Sequence, residues 1–533
     1  MHIGFSYVGL VYLIMLMVPN IFWAKNKPKD YDRYVKNENK VLLAFERTGE
    51  ILVSIIALVF ADFNLREWTE WCTWLVLSFL LMVLYEFYWL RYFKSEKTMR
   101  DQYSSFCGFP VAGASLPVIA FFLLGIYGVN VWMIVSVLIL GIGHIGIHLA
   151  HKKEAVGENK KRHVAIRILK WTGAVVLILL FGAISFVIGV RDVRFMNHHA
   201  NYIHGVDEST YINLGGQNQY VLMMGRNVEN PVIINLHGGP ASPDTTALYT
   251  FADYLMEDFT IVGWDQRGAG RTYYKNKNAD GENSTATFEQ ALSDLDELVD
   301  YVRARFNKNK VIIMGHSYGT VLGSRYVLLH PEKVSDYIAV GSVVSVPDGD
   351  ILSYEDALAK AKAAGDDTSE MEDLYMTYLN DRFVLYEVYH PKNTLQDMLA
   401  LREPVSKYHP AKEANDAWNG LSSPYFGVAD LKWFSKSMIS LEKYIELNRQ
   451  LFDFIMCYDA RNLEKDFQMP VHFISGSEDW ICPVQLVREY MDSISAPEKS
   501  ISVLDGCGHA PQFASPKEFA DIVKKCLKNK PVR

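Results

Sequence analysis

Val311-Ile312-Ile313-Met314-Gly315-His316-Ser317-Tyr318-Gly319 is the stretch that decides the fold. Its first four residues form an apolar run of strand length, and 318–330 reads as a helix. Between them stands Gly-x-Ser-x-Gly. A serine on so sharp a strand-to-helix turn has a strained backbone, so its near neighbours must be small, and its hydroxyl stands at the tip of the turn. The pattern predicts a nucleophile at Ser317, with the backbone N–H of Tyr318 aimed at the same point. His316 is expected to point away and pack within the turn.

A serine hydroxyl is a weak nucleophile without a base. His509, in Gly506-Cys507-Gly508-His509, follows the apolar run 500–504. Asp479, in Ser477-Glu478-Asp479-Trp480, follows the run 471–475, with Glu478 as a competing acid. The chain order Ser, Asp, His suits this architecture. His509 is expected to take and return the Ser317 proton, and Asp479 to orient the imidazole. Upstream, His237-Gly238-Gly239-Pro240 follows the run 231–236. Proline has no N–H, so Gly239, ahead of Gly238, is expected to join Tyr318 in binding an oxyanion.

Further apolar runs lie at 259–264 and 336–341, and 211–224 reads as a hairpin. Helical stretches fall at 285–307, 484–494 and 516–528. Such alternation predicts a doubly wound, mainly parallel sheet with its site at the carboxyl ends of the strands.

His237-Gly238-Gly239-Pro240, then Trp264-Asp265-Gln266-Arg267-Gly268-Ala269-Gly270-Arg271, then the Ser317 turn and a helix ending His330-Pro331-Glu332, resemble the proline iminopeptidase-like α/β hydrolases over roughly 205–533. The resemblance implies an α/β hydrolase fold with a helical cap at about 346–460, and a serine aminopeptidase acting on short peptides, often with N-terminal proline. The family's usual next glycine is Ala241 here. In the family, cap carboxylates grip the substrate's amino group. The cap glutamates here, Glu355, Glu372, Glu387, Glu403, Glu413 and Glu442 among them, match no family position. Asp265 and Arg267 read either as substrate contacts or as buried loop organisers, the second being favoured.

Across the 533 residues the composition is 50% hydrophobic and 21% charged, with net charge −8. The apolar content excludes a disordered chain, the acidic balance argues against a nucleic-acid partner, and 6 cysteines are too few for a disulfide scaffold. The mean hydropathy of +0.02 hides a division near residue 195. Residues 1–195 carry 21 basic and 14 acidic residues, net +7, and the rest carries −15.

The first third holds apolar runs at about 4–23, 41–63, 71–93, 109–128, 129–150 and 165–190. About 20 apolar residues span a bilayer. The second run is interrupted by Glu46, Arg47 and Glu50, and the fourth is short, with Pro110 and Pro117. The reading is an α-helical multi-pass membrane domain at 1–195 with about six transmembrane helices, followed by the hydrolase domain at 196–533. Segments 24–40, 91–105 and 151–167 are rich in Lys and Arg, whereas 64–70 has only Arg66 and 127–130 has none. The positive-inside rule places the basic segments in the cytoplasm and the hydrolase domain outside it. His144, His148 and His151 share one helix face, read as an interhelical hydrogen-bonding face in preference to a metal site. Cys482 and Cys507 follow adjacent strands and are expected to be free thiols, with a disulfide as the alternative.

The sequence therefore predicts a cell-membrane serine hydrolase needing no metal or cofactor. Its partners would be the lipid bilayer and a small peptide substrate. An esterase or lipase acting on lipid-derived esters is the alternative enzyme. A non-catalytic sensor or transporter is the alternative from another class.

Overall fold

A computed structural model describes residues 3–31, 39–66, 70–156, 182, 184–198, 204–384 and 391–527. The chain forms two compact units, Met1–Phe195 and Met196–Arg533.

The first unit is helical: α1 (Tyr7–Lys25), α2 (Lys40–Val59), α3 (Thr73–Phe93), α4 (Ala112–Tyr127) and α5 (Val131–Val156). Ser6 caps α1 by accepting from Gly9 N–H at 2.9 Å, and Asn39 caps α2 through Val41 N–H at 2.9 Å. Among the described residues, three helices are long and apolar enough to cross a membrane, Tyr7–Lys25, Thr73–Phe93 and Val131–Ala155. Their outer faces expose Ile14, Phe22, Leu80, Phe87 and Ile142. Lys40–Val59 carries the charges of Glu46, Arg47 and Glu50, and Ala112–Tyr127 has only 16 residues, almost all buried within the unit. The sixth expected run, 165–190, falls largely outside the described residues.

Glycines bring α2 and α5 into backbone contact. A Cβ on Gly143 would lie 2.2 Å from Glu46 N, and one on Gly49 would lie 2.4 Å from Leu140 Cα. Small residues permit this approach between apolar helices. The three histidines on α5 form one ring cluster, His144 lying 4.4 Å from His148 and both His148 and His151 packing on Tyr103. His144 pairs with Glu46, His151 Nδ1 lies 3.3 Å from Glu154, and His148 packs edge-on against Tyr103 at 4.9 Å.

Among its described residues the second unit has eight strands: β1 (Val206–Leu214), β2 (Gln217–Gly225), β3 (Val232–Leu236), β4 (Thr260–Trp264), β5 (Val311–His316), β6 (Val334–Val340), β7 (Val471–Gly476) and β8 (Lys499–Leu504). They form one sheet in the order β1-β2-β4-β3-β5-β6-β7-β8. β1, β2 and β4 pair antiparallel, and every other pair is parallel. All residues of β3 and β4 are buried, as expected for strands covered on both faces. Alternation then divides the core: Ile234, Val262 and Ile313 pack on one face, and Ile233, Ile261 and Ile312 on the other.

Helix α6 (Phe288–Arg305), capped by Thr287, covers the first face with α7 (Tyr318–Leu329). Between β6 and β7, a run of helices from Val346–Ala364 to Arg449–Met456 forms a cap with its own core around Tyr354, Ala357, Tyr378 and Leu401.

Candidate active site

Ser317 joins β5 to α7 with φ 52° and ψ −122°, a conformation few non-glycine residues adopt. Close packing on both sides holds it there. A Cβ on Gly315 would lie 2.3 Å from Gly319 O, and one on Gly319 would lie 2.1 Å from Leu236 O. Ser317 N–H donates to Val340 O at 3.0 Å, which ties the turn to β6. Tyr318 is the first residue of α7, so its N–H is one of those a helix leaves without an intrahelical partner.

Asp479 lies in the turn after β7, with its side chain fully buried. Its Oδ1 accepts from Cys482 N–H at 2.8 Å and Ile481 N–H at 3.1 Å. His509 Nδ1 stands 3.0 Å from Asp479 Oδ2 and 3.1 Å from Oδ1. That contact leaves Nε2 for another partner. Glu478 instead accepts from the Ser477 hydroxyl at 3.1 Å, at the surface. Ser317 and His509 line one cavity of about 540 Å³, together with Gly238 and Gly239. A smaller chamber of about 80 Å³ also reaches Ser317 and Gly239.

His316 departs from the sequence expectation. It lines the cavity, and its ring lies 5.0 Å from that of His509. Its Nε2 meets His509 O at 3.0 Å, and a carbonyl only accepts, so Nε2 carries the proton. The loop after β8 folds back to the end of β5, which a reading of the turn alone does not reveal. Burial, reinforced by His509, pulls the His316 pKa down to about 3, so the ring is neutral.

His237 is fully buried and organises its loop. Its Nδ1 donates to Gly238 O at 2.9 Å, and its Nε2 accepts from Gln266 N–H at 3.2 Å. Burial lowers its pKa to about 4. Ala241 has φ 59°, a left-handed conformation that glycine adopts without strain. The cap clamps this loop: Trp433 Nε1 donates to Ala241 O at 3.0 Å and Tyr444 OH to Pro240 O at 2.6 Å. No sequence signal marks either contact.

Asp265 and Arg267 do not line the two cavities. Asp265 accepts from Thr245 Oγ1 at 2.7 Å and from Arg271 N–H at 2.9 Å. Burial, opposed by Arg271, lifts its pKa to about 7. Arg267 meets the buried Asp294 through Nε at 2.7 Å and Nη2 at 2.9 Å, and donates to Gly215 O at 2.8 Å. Arg271 reaches the cap, its Nε 2.9 Å from Asp430 Oδ1. The cap acids at the cavity wall are Asp416 and Asp430, neither singled out from sequence.

Ligand atoms of Asp479, Cys482 and His509 lie within 4.8 Å of one another. Asp479 is already committed to two amides and an imidazole, and burial raises the Cys482 pKa well above its usual value, so a thiol stands there and not a thiolate. Cys482 and Cys507 are both free. A comparable group, Glu46, Glu50 and His144, lies in the helical unit.

The strand order, the turn at Ser317 and the inserted cap together describe one class of enzyme scaffold. Residues 231–516, more than half of the chain, match the family described as alpha/beta hydrolase fold, and the chain belongs to it. The C-terminal region is of the proline iminopeptidase-like kind. It is 23% identical over 319 residues to a probable aminopeptidase of Bacillus subtilis strain 168, covering 59% of this chain and 94% of that protein. It is 23% identical over 288 residues to a proline iminopeptidase of Xylella fastidiosa strain 9a5c, covering 52% of this chain and 83% of that one. Among solved structures it is similar to a proline iminopeptidase-related protein of Thermus thermophilus. That match has 19% identity and a TM-score of 0.41, covering 61% of this chain and 98% of that chain.

Proposed function

We propose that the protein is a membrane-anchored serine hydrolase, an aminopeptidase that removes N-terminal residues from short peptides through a Ser317 acyl-enzyme. The observation that carries this reading is the shared cavity: Ser317, on its strained turn, faces the same space as His509, whose Nδ1 is held 3.0 Å from the buried Asp479. The relatives named as aminopeptidase and proline iminopeptidase support the substrate class.

In this reading Ser317 Oγ attacks the scissile carbonyl carbon while His509 Nε2 takes its proton. Asp479 holds the imidazole and stabilises its charged form. The oxyanion is received by the N–H groups of Gly239 and Tyr318, each worth about 3 kcal/mol to the transition state. His509 then protonates the departing amine. Water, deprotonated by His509, attacks the acyl-enzyme and frees Ser317 and the carboxylic acid. No metal or cofactor takes part. The helical unit, with about six spans, anchors residues 196–533 outside the cytoplasm.

An esterase is the second reading, favoured by the apolar wall of Phe426, Leu431, Trp433, Phe434 and Phe513 around the cavity. Parallel assays with a proline arylamide and a short-chain aryl ester separate the two. The aminopeptidase reading expects turnover of the arylamide, abolished in Ser317→Ala. Turnover of the ester alone would replace it with the second.

A further inference from the structure

The geometry points to Arg402 as a specificity residue whose free guanidinium edge receives a carboxylate of the substrate. For a peptide substrate this carboxylate is the C-terminus, which restricts the enzyme to very short peptides. The inference rests on the Ser317 reading and adds a feature that reading does not contain.

Arg402 lies on the cap helix Pro391–Ser406 and lines both the large cavity and the small chamber, the two spaces that meet at Ser317. Its Nε donates to Asp350 Oδ1 at 2.7 Å, and Asp350 also accepts from Tyr378 OH at 3.2 Å. Among the described residues, no acceptor meets Nη1 or Nη2. An arginine has five N–H donors and cannot shed its proton, so four donors remain turned away from Asp350. The side chain is only 19% exposed. Nη1 and Nη2 are not among the described buried polar atoms left without a partner, so they open onto accessible space, where water or a ligand satisfies them.

The small chamber is the side that favours an anion: among the described residues no carboxylate lines it, whereas Asp244, Asp416 and Asp430 line the large cavity. Arg402 is the one lysine or arginine among the described residues lining either space. Val343, Leu395, Met398, Phe452 and Ile455 make the adjoining chamber apolar, and a charge pair is stronger in such a medium. The planar fork of a guanidinium fits a carboxylate through two parallel hydrogen bonds. Asp350 fixes the Nε edge and so presents the outer edge to the cavity. A structural arginine needs only the Asp350 contact; the unused edge beside the reacting serine is what the substrate carboxylate accounts for.

The test uses the full chain in detergent with prolyl-glycine and prolyl-glycinamide, which share a scissile bond and differ in the carboxylate. One charge-assisted contact predicts kcat/KM about tenfold to a hundredfold higher for the free acid. Arg402→Lys keeps a charge for Asp350 but loses the fork. It should bring that ratio close to one, chiefly through KM of the free acid. The Ser317→Ala protein, titrated calorimetrically, should bind prolyl-glycine more tightly than the amide by a similar factor, and Ser317→Ala/Arg402→Lys should not discriminate. Equal wild-type constants, or an Arg402→Lys protein that loses both substrates alike, would overturn the assignment. If neither peptide is turned over but Ser317→Ala still discriminates, the aminopeptidase reading fails and the carboxylate site stands. If Ser317→Ala binds both alike, or neither, the carboxylate site fails.

Discussion

At the scale of single residues, what can be read in advance is what local sterics dictate. Ser317 is legible because Gly315 and Gly319 are required within two residues of it. The positions of Asp479 after β7 and His509 after β8 are legible because each follows an apolar run in chain order. The sequence favours a buried organising role for Arg267 but does not identify its partner, since Asp294 sits on a helix whose placement depends on the whole sheet. His316 escapes a local reading for the same reason: the His509 carbonyl that it meets comes from 193 residues further along the chain. The buried Arg267–Asp294 pair gives a direct prediction. Arg267→Met leaves a buried carboxylate without its cation and should destabilise the fold by about 3–5 kcal/mol. The kcat/KM of the molecules that remain folded should stay near wild type. Denaturant unfolding and active-fraction kinetics check this. A stable variant with a raised KM would make Arg267 a substrate contact.

Among the secondary-structure elements, apolar runs predict β3 to β8; β3 to β7 are covered and carry little polar alternation, whereas β8 is the part-exposed edge strand. The hairpin extends further than its expected 211–224, because β1 begins at Val206, and Gly215 and Gly216 form the turn with φ 53° and 78°. The cap is legible as a helix-rich insertion, but its contacts are not. Trp433 and Tyr444 reach back some 200 residues to the loop of Gly239, and no local pattern encodes that docking. In the helical unit, Gly143 beside His144 and Gly49 on the facing helix let α2 and α5 touch. Gly143→Ala would press a methyl group against Glu46 N. It should cost about 1–3 kcal/mol. A lowered thermal midpoint of the full chain in detergent is the expected result, and an unchanged midpoint would contradict the close helix contact.

For the molecule as a whole, the charge balance of −8 combines a +7 helical third and a −15 hydrolase unit. The positive charge is concentrated in alternate connecting segments, and that alternation carries the proposed topology. A reporter fused after Arg533 and active only outside the cytoplasm should therefore be active. A silent reporter, with a cytoplasmic reporter active at the same position, would reverse the assignment, as would follow if Lys40–Val59 did not span. The central claim is that Ser317 is an activated nucleophile in a hydrolase and not a vestige in a binding domain. A fluorophosphonate probe applied to the full chain in membranes tests it most directly. Wild type should become covalently labelled at Ser317, and Ser317→Ala should remain unlabelled. An unlabelled wild type, or equal labelling of the two proteins, would contradict the account.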